Sequence, residues 1–158
     1  MKKILMVVCC AIGGVLIYSC HKDSKVVPAD YYFKANKNGA GWGGQGSASA
    51  IPGDSLRLTA LKPAGEEQIY INIKFNGLGT YPLTGTQAAF FTTVGMDVLT
   101  SHYRLDTTKS SSLTILSYST KTRIISGTFE LHVLKDGNPN EYVPIDFNNG
   151  LFRVKLPN

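Results

Sequence analysis

Cysteine is scarce in this 158-residue chain: there are three, and none lies beyond Cys20. A folded part without cysteine cannot form a disulfide, hold a metal through thiolates or use a cysteine nucleophile. Charged residues make up only 17% of the chain, and the densest basic stretch after Cys20 is Lys121-Thr122-Arg123. A nucleic-acid surface needs a cluster or stripe of basic residues. We therefore expect neither thiolate chemistry nor a nucleic-acid partner.

Long hydrophobic runs are also lacking, except at the N-terminus. Lys2 and Lys3 precede an apolar run from Ile4 to Ile17, and the small residue Ser19 stands before Cys20. A positive start, an apolar segment and a small residue before the cut make up a secretory signal peptide. A transmembrane helix is the alternative, but it needs about 20 apolar residues, and this run is shorter and contains two glycines. We predict a signal peptide over residues 1–19.

The segment Leu16-Ile-Tyr-Ser-Cys20 resembles the bacterial lipobox, in which a lipid is attached to the cysteine and cleavage makes that cysteine the N-terminus. Tyr18 is bulkier than the usual residue of that motif. The resemblance implies lipidation of Cys20 and anchoring of the protein to a membrane. We expect residues 20–29 to be the lipidated cysteine and a polar tether. Residues 30–158 then form a single β-rich domain in the bacterial envelope. We expect it on the outer membrane, and both the periplasmic face and the cell surface fit the sequence.

After residue 30, apolar residues recur mostly at every second position, which is the period of a strand with one buried face. Leu56, Leu58 and Ala60 alternate with polar residues, and the same alternation recurs over residues 69–75, 125–133, 143–147 and 152–156. Four pairs typical of tight turns separate the runs: Asn38-Gly39, Asn76-Gly77, Asp136-Gly137 and Asn149-Gly150. We predict an all-β fold of about nine or ten strands, either an antiparallel β-sandwich or a flattened β-barrel with lipocalin-like closure.

Several short motifs resemble those of uncharacterised small lipoproteins of the Bacteroidota type. The motifs are Phe33-Lys-Ala-Asn-Lys-Asn-Gly39 with Trp42, Gly79-Thr-Tyr-Pro-Leu83, Leu113-Thr-Ile-Leu116, Ile125-Ser-Gly-Thr-Phe129 and Gly150-Leu-Phe-Arg-Val154. The resemblance covers most of the chain after Cys20. It implies a β-rich secreted domain and carries over no activity and no functional residues.

The string Gly39-Ala-Gly-Trp-Gly-Gly44 formally matches a dinucleotide-binding fingerprint, which functions only between a strand and a helix. A strand and a turn follow it here, so we expect no cofactor and interpret the glycines as a flexible hairpin loop. Trp42 in this loop either stacks on a sugar ring or fills the core, and tryptophan is usually buried. We name Trp42 and Tyr103 as candidate ligand contacts.

Glu130 and His132 lie two residues apart on one predicted strand and so share a face. Such a pair can transfer protons. A zinc site usually takes three or four ligands, so one Glu and one His are too few. Without a recognisable nucleophile or second carboxylate, the pair is better explained as a solvated strand face, and we expect no catalytic residues and no metal.

These features favour a lipid-anchored envelope protein that acts as a non-catalytic binding or scaffolding module, with a glycan or an envelope protein as ligand. One alternative is a lipocalin-like carrier, in which the barrel encloses a small apolar ligand. A weaker alternative is a hydrolase that uses Glu130 and His132.

Overall fold

The computed structural model describes residues 30–62, 64, 66–137 and 143–158, and ten β-strands account for most of them. The strands are β1 (Tyr32–Lys37), β2 (Ala40–Ile51), β3 (Ser55–Leu61), β4 (Glu67–Lys74), β5 (Gly79–Leu83), β6 (Ala88–Val94), β7 (Val98–Leu105), β8 (Ser111–Ser119), β9 (Ile124–Lys135) and β10 (Pro144–Lys155). Their pairings are antiparallel throughout. The prediction of an all-β fold with about nine or ten strands is confirmed.

Eight of the strands close into a barrel in the order β10-β1-β2-β3-β4-β6-β7-β9, with β9 pairing back onto β10. Following the paired residues once around the ring from Ser126 on β9 returns to β9 at Asp136, a stagger of ten residues. In closed barrels the strands tilt by about 35–45° to the axis to accommodate their stagger. Of the two architectures that the alternation allowed, the barrel is the one that forms.

The barrel wall divides at β9. One edge of β9 pairs with β10 along almost its whole length, whereas the other edge is shared between β8, at the start of β9, and β7, at its end. The β6–β7 hairpin therefore completes the wall at one end of the barrel. β8 and β5 extend the wall at the other end, and β5 pairs with β8 alone.

The alternation predicted for the inner face is borne out by the burial of the side chains. Leu58, Ile69, Ile71, Leu131 and the other inward residues are buried, while their neighbours along each strand face outward. Aromatic rings occupy much of the interior: Phe33 lies 5.3 Å from Phe129 and 5.5 Å from Phe152, measured between ring centroids. The barrel core is thus made of packed side chains.

The C-terminal strand corrects one of the turn predictions. Asn149-Gly150 was expected to separate two strands, but β10 runs without interruption from Pro144 to Lys155 and carries a bulge between Phe147 and Gly150. The extra residue shifts the side-chain alternation, so Phe147 and Phe152 both face the core although they are five positions apart. Asn149 has a φ of 53°, which explains why its sequence resembles a turn.

The two ends of the barrel differ in what they carry. The N-terminal rim is formed by Asp30, where the described chain starts, and by four further segments: residues 52–54, 75–78, 120–123 and 156–158. The hairpin rim at the opposite end carries the β1–β2 turn at Asn38-Gly39, as predicted, and the β6–β7 turn at residues 95–97. The predicted signal peptide, Cys20 and the tether lie outside the described residues.

Candidate functional site

The two candidate ligand contacts, Trp42 and Tyr103, lie together inside the barrel toward the hairpin rim. Trp42 is 6% exposed and packs edge-on against Phe147 at 5.4 Å, and Tyr103 is 8% exposed and packs against Phe90 at 5.4 Å. Phe90 and Phe147 are themselves 5.3 Å apart, so the four rings form one cluster. Both candidates therefore fill the core.

The expectation that the glycines after Gly39 form a flexible hairpin loop is wrong. The segment starts β2 at Ala40, directly after the Asn38-Gly39 turn, and it pairs with β1 on one side and β3 on the other. Gly44 and Gly46 allow this because an added Cβ would lie 3.1 Å from the Leu61 carbonyl and 2.9 Å from Val154 Cγ1, respectively. The glycines thus serve close packing of β2 against its neighbours.

A charged cluster lies above the aromatic one. The Trp42 indole Nε1 donates a 2.6 Å hydrogen bond to Glu67 Oε2, and Lys37 Nζ lies 2.6 Å from Glu67 Oε1. Lys62 adds a contact of 3.5 Å, and Lys37 also stands 5.0 Å above the Phe90 ring. Burial raises the pKa of the Glu67 carboxyl, but Lys37, Trp42 and Lys62 outweigh it and hold that pKa below its ordinary value. Ion pairs centred on Glu67 thus cover the core at the end nearer the hairpin rim.

The predicted pair Glu130 and His132 belongs to a longer chain of polar contacts on the outside of the barrel. His132 Nε2 lies 3.4 Å from Glu130 Oε1, and His132 Nδ1 lies 2.7 Å from Asp146 Oδ1 on β10. Lys109 Nζ donates to both oxygens of Asp146, at 3.1 and 3.2 Å. We call these four residues the polar relay. Its carboxylates and imidazole can exchange protons, but its members also tie the β7–β8 connection to β9 and β10.

Hydrogen bonds within the polar relay lower the pKa of one of its carboxyl groups, that of Asp146. The hydrogen bond from His132 and the contact with Lys109 lower the pKa of Asp146 below its ordinary value, against a smaller opposing effect of burial. The Asp146 backbone N–H also donates to Asn38 Oδ1 at 2.8 Å. Asp146 is therefore held ionised and fixed in place at neutral pH. Sequence reasoning missed Asp146, because it lies 14 residues from His132.

Two buried polar residues mark the point where the wall divides. The Asp106 N–H donates to the His132 carbonyl at 2.9 Å, and the His132 N–H donates to Ser111 Oγ at 2.9 Å. Asp106 Oδ1 accepts from the N–H and the hydroxyl of Thr108, and these bonds lower the pKa of Asp106. Asp106 and Ser111 thus supply hydrogen-bond partners for the backbone carbonyl and N–H of His132 on β9, where β7 ends and β8 begins.

The most exposed apolar surface is the tip of the β6–β7 hairpin. Val94, Met96, Val98 and Leu99 are between 59% and 68% exposed. Pairing of β6 with β4 ends at Thr92, so residues 94–99 project beyond that part of the barrel wall. We call residues 94–99 the hairpin arm. Four large apolar side chains within six residues are a signal that the sequence itself carries, and sequence reasoning missed it.

Within the described ranges, no group of three or more His, Cys, Asp or Glu side chains is arranged to hold a metal ion. The same residues include no helix of the length and hydrophobicity that crossing a membrane would require.

The fold and these surfaces can be set beside known proteins. A family model described as a domain of unknown function, DUF6252, matches residues 29–157. The chain belongs to the DUF6252 family. The match extends over all ten strands, so the predicted membership of an uncharacterised domain family is confirmed. For this DUF6252 domain, searches of curated proteins and of solved structures found no match.

Proposed function

We propose that this DUF6252 protein is a lipid-anchored, non-catalytic binding module of the bacterial envelope, and that its contact element is the hairpin arm. The observation that carries the proposal is the exposure of Val94, Met96, Val98 and Leu99 on a projecting turn. Monomeric soluble proteins rarely leave contiguous apolar side chains uncovered without a binding role. Burial of such surface contributes about 25 cal/mol per Å², which gives a partner a reason to cover it.

The position of the arm indicates on which side the partner lies. The described chain begins at the N-terminal rim, and the arm projects from the opposite rim. With a lipid on Cys20, the arm points away from the anchoring membrane. A partner in the aqueous part of the envelope can then reach it.

The chemistry of the arm favours an envelope protein over a glycan. Sugar rings are commonly bound by stacking on exposed aromatic rings, whereas the exposed side chains here are aliphatic or thioether groups. Methionine is enriched at protein interfaces and adapts its shape to a pocket. Trp42 and Tyr103, the residues that suggested stacking, are buried.

The other candidate functions receive less support. The interior that a carrier would need for its ligand is occupied by packed side chains such as Phe33, Phe90 and Phe147, all fully buried. In the polar relay, the Asp146 carboxylate contacts His132 and Lys109 while the Asp146 backbone N–H donates to Asn38 Oδ1, which fits a structural clamp.

The proposal is tested by photo-crosslinking in cells of the native host, with the full-length protein carrying Met96→p-benzoylphenylalanine. We expect one crosslinked product of defined mass in the membrane fraction. The added substitutions Val98→Asp and Leu99→Asp should lower its yield at least tenfold, because they place charge on the apolar contact. Leu151→Asp, on the outward face of β10 and 49% exposed, is the matched control and should leave the yield unchanged.

Two results would contradict the proposal. One is an equal loss of product in the arm variant and in the Leu151→Asp control. The other is a product that contains only two copies of this chain, which would assign the arm to self-association.

A further inference from the structure

Both halves of the barrel carry basic side chains, but toward the N-terminal rim the acidic side chains are far outnumbered by basic ones. Six basic side chains lie in this half of the barrel, on strand ends or on the β8–β9 turn: Arg57, Lys74, Lys121, Arg123, Arg153 and Lys155. The acidic residues of the same half are Asp30 and Asp54. Nearer the hairpin rim the two signs are balanced: the acidic residues include Glu66, Glu67, Asp97, Asp136 and Asp146, and the basic ones include Lys37, Lys62, Arg104, Lys109 and Lys135. Within the described residues, the half of the barrel nearer the N-terminal rim therefore carries the net positive charge.

Ion pairing strengthens this asymmetry. The ion pairs found among the described residues join groups in the half nearer the hairpin rim, such as Lys37 with Glu67 and Arg104 with Asp136. Arg57 Nε donates instead to Asn72 Oδ1 at 2.9 Å, and Arg123 Nη1 donates to Asn158 Oδ1 at 3.2 Å. Because these acceptors are neutral amides, the positive charge of the N-terminal rim is left for an external anion.

The same rim also presents apolar surface. Leu78 is 64% exposed, Leu116 is 62% exposed and Tyr118 is 37% exposed. An open cleft of about 470 Å³ lies between the β2–β3 turn and the C-terminal Leu156-Pro157, with Arg123 among its lining residues. Apolar side chains surrounded by lysine and arginine are what proteins use at the boundary between lipid headgroups and acyl chains.

The course of the chain brings this rim close to a membrane. Asp30 starts the described chain at the N-terminal rim, ten positions after Cys20. Ten residues span about 36 Å at most when fully extended. A lipid on Cys20 therefore keeps this rim within a short distance of the bilayer, and this step rests on the proposed function.

We propose that the N-terminal rim docks onto the anionic lipid headgroups of the membrane that holds the anchor, so that the barrel stands on this rim with the hairpin arm pointing outward. Each lysine or arginine near such a surface strengthens binding about fivefold at physiological salt. The attraction falls off within about 8 Å at that ionic strength, so only a docked rim benefits.

The test uses the chain from residue 20 onward with Cys20→Ser, which carries no lipid and contains every described strand. It is co-sedimented with vesicles of phosphatidylcholine, alone or with phosphatidylglycerol at about a third of the lipid. We expect binding to the anionic vesicles at least tenfold stronger than to the neutral ones, and loss of that binding in high salt. The variant Lys121→Gln, Arg123→Gln, Lys155→Gln should weaken it at least tenfold.

A second triple variant serves as the matched control, because it removes the same charge from the other half: Lys62→Gln, Arg104→Gln, Lys135→Gln. We expect it to keep binding within about twofold of the parent chain, since these residues would lie beyond the screening length from the lipid. Equal weakening by both triples would overturn the proposal, as would a rim that associates with a second copy in light scattering and ignores vesicles. Lipidation and the hairpin arm do not enter this assay, so its failure is separate from failure of the proposed function.

Discussion

Single glycines decide where strands of this barrel can approach one another. At Gly127 on β9, an added Cβ would fall on the Thr114 carbonyl and within 3.0 Å of the Phe152 ring. We expect Gly127→Ala to lower the free energy of unfolding by about 3 kcal/mol, because backbone and a buried ring would both have to move. Gly41→Ala is the control, since no atom lies within 4 Å of its added Cβ, and it should change stability by less than about 0.5 kcal/mol. Urea unfolding of both variants measures the difference, and similar losses would contradict the expectation.

At the scale of residues, burial could be predicted from the sequence but partners could not. The sequence favoured a core role for Trp42 by residue type, and that role is confirmed. Its hydrogen-bond acceptor, Glu67, is 25 residues away and lies on a strand that is not its neighbour in the chain. Likewise, Glu130 and His132 were paired by their spacing, whereas Asp146 joins them only through the β9–β10 register. Such contacts depend on strand pairing, which a single sequence does not specify.

At the scale of elements, alternation predicted the inner faces of β3, β4, β9 and β10 because those strands separate buried from solvated side chains. β2 was missed because its first half, Ala-Gly-Trp-Gly-Gly-Gln-Gly, has almost no side chains to alternate. Its extended form comes from pairing with β1 and β3, and glycine is favoured there by close contacts with neighbouring strands. Tertiary pairing outweighs the local tendency of glycine to form loops.

The polar relay holds the β7–β8 connection against β9 and β10 through Asp146. We expect Asp146→Asn to lower the free energy of unfolding at pH 7 by about 1 kcal/mol, since it removes charge-assisted hydrogen bonds at a partly exposed site. The pKa of Asp146 is lowered in the folded protein, so its contribution is complete above the unfolded value of about 3.9 and is lost as the pH falls through the lower folded value. The difference between variant and parent should therefore shrink below about pH 4.

Denaturant unfolding at several pH values between about 2 and 7 measures this difference. Asp97→Asn, on the exposed hairpin arm, is the control and should change stability by less than about 0.5 kcal/mol. A variant-to-parent difference that stays constant down to pH 2 would mean that the ionised carboxylate of Asp146 does not stabilise the relay.

At the scale of the whole molecule, strand count and class could be predicted, but closure could not. The first strand pairs with the last, as in Phe33 opposite Phe152, and this contact spans nearly the whole described chain. The division of the wall at β9 also has no local signal, because it depends on two strands sharing one edge. The outcome is a barrel with a basic rim where the described chain begins and an apolar arm at the other end. In the function that we propose, anchoring at one end and binding at the other are separate.

In this proposal, membrane attachment depends on one residue, Cys20. We expect Cys20→Ala to abolish incorporation of labelled palmitate and to move most of the protein out of the membrane fraction, because the acyl chains on Cys20 supply most of the binding at about 0.8 kcal/mol per buried methylene. Charge attraction at the N-terminal rim alone is reversible and weakens in salt, so washing membranes with high salt should remove what remains. Cys9→Ala and Cys10→Ala lie in the predicted signal peptide and should leave both readouts unchanged. Palmitate labelling and sedimentation that persist in Cys20→Ala would show that the anchor lies elsewhere in the chain.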